Sequence, residues 1–328
     1  MPTRSTEPEP GANGYGLETA LHIGAGSVSM LVAERKADGS LVPLDLLERP
    51  APLARDIFRA ASVGLDTTER IVSAIKGFQK SLAELGIDPH ALTRAAATNI
   101  LSEARNHEAF VNRIRIACGI KVAIIDDGEM TRLIYLKTRR RLRHLPAMRR
   151  DSTLVVHVGP GNTRALLFNN GQIIRYTSYR LGTHRTREAV EASQTEGPAL
   201  LRLIREHAHG NLAQLHFDYS DVEINGLVCI GHEIQSIAAP LVRGGVHVDV
   251  TKMREFIASA AELSEAELVK RYQLDYQTAE AVLPALEINL AIAQTLKQEI
   301  VHIPSSGYEQ GLLNDLLESR EMGGAFHE

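Results

Sequence analysis

The chain has 328 residues, of which 44% are hydrophobic and 23% charged, and its formal net charge is −4. At roughly 150 residues per domain this is the composition of a globular protein of about two domains, and it excludes wholesale disorder. The negative charge and the absence of tryptophan argue against a nucleic-acid-binding surface. The two distant cysteines argue against disulfides or a thiolate zinc site. No apolar stretch is long enough for a membrane span, so we expect a cytoplasmic protein.

The beginning of the chain predicts a leader followed by three strands. Residues 1–16 are rich in Pro, Glu and Gly and are typical of a disordered segment. Residues 20–34 then predict a strand, a turn of small residues and a second strand. An Asp-Gly turn at 38–39 returns the chain to a third strand at 41–47.

Helices and strands alternate in the next segment. Apolar residues at helical spacing indicate a helix over 67–85 and another over 106–118, each followed by glycine. Short apolar runs indicate strands at 92–97 and 122–125. This alternation predicts an α/β fold.

The same order of strand, glycine loop and strand begins again at Ser152. Leu21–Ser27 (LHIGAGS) matches Val156–Asn162 (VHVGPGN) position by position, with an apolar residue, His and two glycines at the same places. We therefore predict a duplicated architecture, with a first domain over residues 17–136 and a second over 151–328. The second is mainly helical from a capping box at Ser264 onward.

A basic segment, residues 137–150, joins the two predicted domains and holds seven Lys and Arg without one carboxylate. It could attract a polyanion. The simpler interpretation is a solvated helix end and linker, because runs of charge usually face water.

Four segments carry motifs that occur in this order in one known family. They are Ala96–Asn106 (AATNILSEARN), Ile125–Tyr135 (IDDGEMTRLIY), the second glycine loop and Ser305–Leu313 (SSGYEQGLL). Together they resemble the exopolyphosphatase and guanosine pentaphosphate phosphatase family. The resemblance implies a duplicated actin-like, sugar-kinase-like (ribonuclease H-like) fold with two domains around a cleft. It also implies a C-terminal helix near 311–320 that returns toward the first domain. In function, it implies a Mg²⁺-dependent phosphoanhydride hydrolase that forms a homodimer.

The sequence departs from this family at the metal-binding positions. Both glycine loops of the family begin with an Asp ligand of the cation, where this chain has His22 and His157, and Arg164 falls where the family has Glu. Imidazoles are poor ligands for Mg²⁺, although two imidazoles with a carboxylate suit a transition metal. We expect His22 and His157 to face each other across the cleft, with His232 nearby, as metal ligands, as cations that hold an anion, or as packed cleft residues.

The catalytic positions depart as well. Ser102 matches a phosphate-binding Arg of the family, and Met130 matches the Glu that is implied to activate water. If the local register shifts by one residue, Glu129 takes that role and is the candidate catalytic residue, placed near the two histidines. A methionine cannot accept a proton, so several of the groups that phosphoryl transfer needs are missing.

The glycine loops could still bind phosphate, because glycine lets backbone N–H groups approach an anion. They could equally be tight turns between packed strands. We expect a donor-rich cleft with fewer carboxylates than the family has, and hence a more positive field. The candidate phosphate-binding residues are Gly24, Gly26, Ser27, Gly159, Gly161, Asn162 and Thr163.

These features predict a catalytically impaired binding or regulatory protein whose ligand is phosphate, polyphosphate or a guanosine polyphosphate. The alternative is an active hydrolase with a rearranged site that uses Glu129 and a metal or phosphate held by histidine. A third possibility is a structural protein that acts through a dimer surface. The resemblance implies Mg²⁺ as cofactor although its carboxylate ligands are missing, and the histidines leave a transition metal open.

Overall fold

The structure is a computed structural model that describes residues 16–88, 94–137, 142, 144–149, 152–191, 193–243, 245–304 and 308–318. Residues 1–15 of the predicted leader and residues 138–141, 143 and 150 of the basic segment lie outside these ranges. The start of the strand predicted at 92–97 and the first residues of the Ser305–Leu313 motif lie outside them as well. The exact domain boundaries therefore stay predictions.

The first half contains a five-stranded sheet. Its strands are β1 (Gly16–Ile23), β2 (Ser27–Arg35), β3 (Leu41–Pro50), β4 (Arg94–Ala97) and β5 (Ala123–Ile124). They lie in the order β3-β2-β1-β4-β5, in which β1 to β3 form an antiparallel meander and β4 and β5 run parallel to β1. The predicted strands are confirmed, although the last is shorter than the sequence indicated.

The second half contains a six-stranded sheet that repeats this plan. Its strands are β6 (Thr153–Val158), β7 (Thr163–Asn169), β8 (Gln172–Tyr179), β9 (Gly226–Ile230), β10 (His247–Asp249) and β11 (Ile300–His302). The order β8-β7-β6-β9-β11 repeats the order of the first sheet, with β10 added at the edge. The duplicated α/β fold is therefore confirmed. Strand β6 is buried along its whole length because it lies in the middle of its sheet.

Thirteen α-helices surround the sheets in the described ranges. They are α1 (Leu53–Ala60), α2 (Leu65–Glu84), α3 (His107–Cys118), α4 (Asp127–Lys137), α5 (Thr183–Glu191), α6 (Gly197–Asn211), α7 (Ala213–Asp218), α8 (His232–Ser236), α9 (Ala238–Val242), α10 (Val250–Ala260), α11 (Glu265–Tyr272), α12 (Tyr276–Thr295) and α13 (Tyr308–Glu318). Short 3-10 turns occupy Asn99–Glu103 and Pro146–Arg149. Within the described residues, no helix has both the length and the apolar character that crossing a membrane requires.

The helices and the helix cap predicted from the sequence are present. The predicted helices 67–85 and 106–118 are α2 and α3, and Ser264 forms a capping box with Glu267 at the start of α11. Helix α12 is apolar on all sides and buried along most of its length, because other helices pack around it.

Helices α4 and α13 form a layer between the two sheets. Met130 and Leu133 of α4 share one buried cluster with Leu313 of α13, Leu31 of the first sheet and Val155 of the second. Helix α13 contacts β1 and β2, so the expected return of the C-terminal helix to the first half is confirmed. This shared core sets the distance between the two glycine loops.

Candidate functional site

The two glycine loops have the same geometry. The N–H of Gly24 donates to the carbonyl of Ser27 at 2.8 Å, and the N–H of Gly159 donates to the carbonyl of Asn162 at 3.0 Å. The histidine before each loop packs beneath it: a Cβ placed on Gly24 would lie 3.4 Å from Cε1 of His22, and one on Gly159 would lie 3.1 Å from Cε1 of His157. The histidines thus occupy equivalent places in the two halves.

A cavity of about 80 Å³ lies between the loops and has room for several water molecules. Both halves contribute to it, and it contains both histidines and His232, so the expected meeting of these side chains in the cleft is found. The lining residues are His22, Gly24, Ala25, Gly26, Ser27, Glu48, Thr98, Asn99, Met130, His157, Gly159, Pro160, Arg164, His184, His232, Glu233, Asp275, Gln277, Thr278 and Leu312.

The candidate phosphate-binding residues divide into two groups. Those that line the cavity are Gly24, Gly26, Ser27 and Gly159. Gly161, Asn162 and Thr163 are not among its lining residues. The hydroxyl of Thr163 is fully buried and donates to the carbonyl of Leu181 at 2.7 Å, so it holds the sheet to the following segment.

Gly161 lies against the other half of the molecule. A Cβ at this position would lie 2.8 Å from Cγ2 of Ile100 and 3.1 Å from Cζ of Phe58, so a larger side chain would displace the first half. The first loop makes the reciprocal contact, since a Cβ on Gly26 would lie 2.7 Å from Oε1 of Gln277. Each glycine loop is therefore in contact with the opposite half.

The loop carbonyls bind the amides at the start of the next helix. The N–H of Ala54 donates to the carbonyl of Ala25 at 2.8 Å, and the N–H of Arg185 donates to the carbonyl of Pro160 at 3.0 Å. These amides of α1 and α5 are thereby satisfied within the protein rather than offered to an anion. Binding of an anion in this cavity consequently depends on side chains more than the glycine pattern suggested.

Three carboxylates line the cavity. Glu48 accepts a hydrogen bond of 2.6 Å from the hydroxyl of Ser27. Asp275 caps α12 by accepting from the N–H of Thr278 at 2.9 Å. With Glu233 these carboxylates face one permanent cation, Arg164, and a field more positive than that of the family stays a prediction.

Glu233 is a buried member of this set. Its carboxylate accepts from the hydroxyl of Thr183 at 3.0 Å and lies 3.5 Å from Nε2 of His184. Burial by itself raises the pKa of Glu233, but the contact with His184 and the nearby His232 outweigh it, and the pKa lies below its ordinary value. Glu233 is therefore ionised at neutral pH.

Arg164 is buried in the wall of the cavity, with 1% of its surface exposed. It lies directly opposite His157 in the antiparallel pair of β6 and β7. Its Nη2 donates to Asp127 at the start of α4, which also accepts from the amide of Asn99 at 3.1 Å. A permanent positive charge thus lies in the cavity wall opposite His157.

Glu129 lies outside the residues that line the cavity. Its carboxylate accepts from Nε of Arg132 at 2.7 Å and from Nη2 of Arg94 at 3.0 Å. The hydrogen bond from Arg132 is the main reason that the pKa of Glu129 is lowered. The structure therefore does not bring Glu129 together with the two histidines, because α4 turns its neighbour Met130 toward the cavity. A role as catalytic base stays a prediction that this placement does not favour.

Ser102, at the position of the family's phosphate-binding Arg, is exposed and donates to the carbonyl of Asn99 at 2.7 Å. It lies in the 3-10 turn between β4 and α3 and does not line the cavity.

The side chains that line the cavity determine which metal ions it could hold. Across the described ranges, no three or more His, Cys, Asp and Glu side chains are grouped so as to hold a metal ion. His22 and His157 are imidazoles where Mg²⁺ needs oxygen ligands, and Arg164 places positive charge beside them. The residues present do not fit Mg²⁺. Transition-metal binding by the two histidines stays a prediction.

Several lining residues were not identified from the sequence. Asp275 has a detectable signal, because an Asp before a helical pattern favours an N-cap. His184, Glu233 and Gln277 have none, since they lie on short or distant helices that only the packing of the second half brings to the cleft.

Comparison with known proteins identifies the family of this architecture. The family model described as the Ppx/GppA phosphatase family matches residues 32–320. A Ppx/GppA family member from Aquifex aeolicus has a similar structure at 18% sequence identity and a TM-score of 0.68, with 95% of this chain and 99% of that chain covered. An exopolyphosphatase from Cytophaga hutchinsonii is similar at 13% identity and a TM-score of 0.77, with 94% of this chain and 98% of that chain covered. At these identities the structures show a shared fold.

Proposed function

The chain belongs to the Ppx/GppA phosphatase family, and we propose that within it this protein binds phosphate or polyphosphate with little or no hydrolysis, in a binding or regulatory role. The observation that carries the proposal is the convergence of four departures from the family motifs. His22, Met130 and the hairpin pair His157 and Arg164 come from three separate segments of the sequence and line the same cavity.

The four replaced residues stand where the family has the groups that phosphoryl transfer requires. The reaction needs positive charge on the transferring oxygens, an in-line water and a group that orients this water. Imidazoles replace the metal carboxylates, and Met130 replaces the base. Loss of a single stabilising group commonly lowers kcat by about 10²–10³, so the combined losses leave little turnover.

Ligand binding is less affected than catalysis. The cavity holds the imidazoles of His22 and His157 and the guanidinium of Arg164, which can donate to an oxyanion. An active hydrolase with Glu129 as base is less well supported, because two arginines hold that carboxylate away from the cavity.

The test measures turnover and binding on the same preparation. Phosphate release from tripolyphosphate and long-chain polyphosphate is followed with Mg²⁺, Mn²⁺ or Zn²⁺, and binding of phosphate, tripolyphosphate and guanosine tetraphosphate is followed by calorimetry. We expect binding without turnover. A matched variant, H22D/M130E/H157D/R164E, restores the family pattern and should gain Mg²⁺ binding.

Two results would contradict the proposal. Turnover by the unmodified protein within the usual enzyme range of about 1–10³ s⁻¹ would show an active hydrolase. Absence of both binding and turnover would instead favour the structural role, in which the predicted homodimer surface is what the protein uses.

A further inference from the structure

Arg164 is a buried cation whose hydrogen bonds are incomplete. A guanidinium has five N–H donors, and arginine is almost never fully buried without partners. Within the part of the chain that the structure describes, Arg164 donates from Nη2 to Asp127, whereas its Nε is buried and has no hydrogen-bond partner. A buried charged donor left without an acceptor is costly, so this group points to an acceptor that the protein itself does not supply.

The contact with Asp127 does not account for the burial of Arg164. The Asp127 side chain is 56% exposed, whereas that of Arg164 is 2% exposed. A carboxylate at such an exposed position is solvated without help from arginine. The ion pair therefore uses one end of the guanidinium and leaves other N–H groups, among them that of Nε, for a second acceptor.

The geometry of a guanidinium selects the kind of acceptor. Its planar N–H groups match two oxygens of one oxyanion, which gives stronger and more specific binding than a point charge. His157 lies opposite Arg164 in the sheet, and His22 lines the same cavity from the other half. A tetrahedral oxyanion between the loops would thus meet donors from both halves.

We propose that Arg164 takes the place of the divalent cation: the cavity binds a phosphate-type oxyanion through the guanidinium of Arg164 without a metal ion. This inference rests on the proposed function. It adds the residue that anchors the ligand and the expectation that the ligand binds without a metal ion. It also explains why carboxylates are missing at positions 22 and 157, since a fixed internal cation needs no metal ligands.

The carboxylates of the cavity are compatible with this anchor. Glu48 accepts from Ser27, Glu233 from Thr183, and Asp275 from Thr278, so each has a donor from the protein. These contacts offset part of the negative charge that an incoming oxyanion meets.

The test is calorimetry of the full chain with inorganic phosphate and tripolyphosphate, in EDTA and then with Mg²⁺. We expect binding in EDTA that added Mg²⁺ does not strengthen. R164Q should bind on the order of 10- to 100-fold more weakly, because it loses hydrogen bonds from a charged donor. The affinity of R164K should lie between those of the unmodified protein and R164Q, since lysine keeps the charge but not the planar pair of donors.

Two control variants separate an anchoring role from a structural one. D127N removes the ion-pair partner but keeps the guanidinium, and it should bind phosphate as well as the unmodified protein or more tightly. R175Q removes a cation that pairs with Asp221 away from the cavity, and it should bind normally. If D127N loses binding as R164Q does, the ion pair is merely structural and the inference is wrong.

The outcomes also distinguish this inference from the function on which it rests. Phosphate binding that requires Mg²⁺, or that R164Q leaves unchanged, would overturn the anchor and keep the proposed function. Lack of binding of either ligand in both EDTA and Mg²⁺ would overturn both. If R164Q does not fold, the EDTA experiment and D127N still decide the question.

Discussion

Arg185 donates a hydrogen bond of 2.6 Å to Glu103, and this contact joins α5 of the second half to the 3-10 turn of the first. Nε of the same guanidinium donates to the carbonyl of Gly161 at 2.9 Å, and its Cζ lies 4.6 Å from the ring centre of Phe58. One side chain thereby fixes the second glycine loop against the opposite half.

Other ion pairs continue this contact along the same face. Arg55 bonds to Glu280 at 3.0 Å, Arg59 bonds to Glu188, and Arg180 bonds to Glu103 at 3.2 Å. The contacts all connect α1 or the 3-10 turn with the second half. Together with Arg185, they hold the two halves in contact.

We expect Glu103→Gln to lower the free energy of unfolding by about 1 kcal/mol, because it removes the charge that two arginines share. The loss should be smaller in high salt, which screens exposed charges. Urea unfolding at low and high salt measures it. The control is Glu69→Gln, which breaks an exposed ion pair with Arg113 inside the first half and should cost less. Equal losses of unfolding free energy in the two variants would show that the contact between the halves stabilises the protein no more than an ion pair inside one half.

The stability contributed by Glu129 should depend on pH. Its pKa lies below the ordinary value of 4.5, chiefly through the hydrogen bond from Arg132, so its charge stabilises the folded state above that value. As the pH falls through the folded-state pKa, this contribution is lost. Glu129→Gln should therefore cost about 1–3 kcal/mol at neutral pH and progressively less in acid.

Urea unfolding of both proteins as a function of pH measures this difference. Glu84→Gln, at an exposed position 3.8 Å from Lys80, serves as control and should cost little stability. A cost of Glu129→Gln that is constant with pH would contradict the assignment of the ion pair.

Sulfate binding should strengthen as the pH falls from about 8 to about 5.5, an interval in which imidazoles generally gain a proton. Two imidazoles, those of His22 and His157, line the cavity that already holds Arg164, while Glu233 stays ionised because its pKa is lowered. Sulfate is the appropriate probe because its own charge does not change in this interval. Calorimetry at the two pH values measures the change.

The same experiment addresses the other charged groups and the metal hypothesis. His184, His232, Glu48 and Asp275 also line the cavity, so H22Q/H157Q is needed to isolate the two loop histidines. This variant should reduce the pH dependence of sulfate binding. If the histidines instead bind Zn²⁺ they must be neutral, and Zn²⁺ affinity would fall over the interval in which sulfate affinity is expected to rise.

Gly182 should be intolerant of any side chain. A Cβ there would lie 2.4 Å from the carbonyl oxygen of Pro160 and 2.5 Å from the backbone of Gly161, and backbone atoms cannot move as a side chain can. We expect Gly182→Ala to destabilise by about 2 kcal/mol or more and to weaken ligand binding by displacing the second glycine loop.

Thermal and urea unfolding measure this effect against Gly77→Ala as the matched control. Gly77 lies within α2, and a Cβ at this position meets no atom within 4 Å. Because alanine favours a helix over glycine, that variant should gain roughly 0.5–1 kcal/mol. A Gly182→Ala protein as stable as the unmodified one would show that the loop adapts.

Local patterns in the sequence determined the secondary structure and the duplication. The recurrence of strand, glycine loop and strand predicts both meanders, because alternation of apolar residues and turn chemistry act over a few residues. The departures at His22 and His157 were visible for the same reason, since each stands at a defined place in a repeated motif. The family resemblance then placed them on opposite sides of one cleft.

The tertiary structure decided which side chains share the cavity and which have other partners. Glu129 and Met130 are neighbours in sequence, yet the packing of α4 turns one toward two arginines and the other toward the cavity. Glu233 and Gln277 reach the cavity from the second half, and Thr163 donates to Leu181 in the segment that follows β8. Such convergence depends on how distant elements pack against one shared core, which no local pattern of residues specifies.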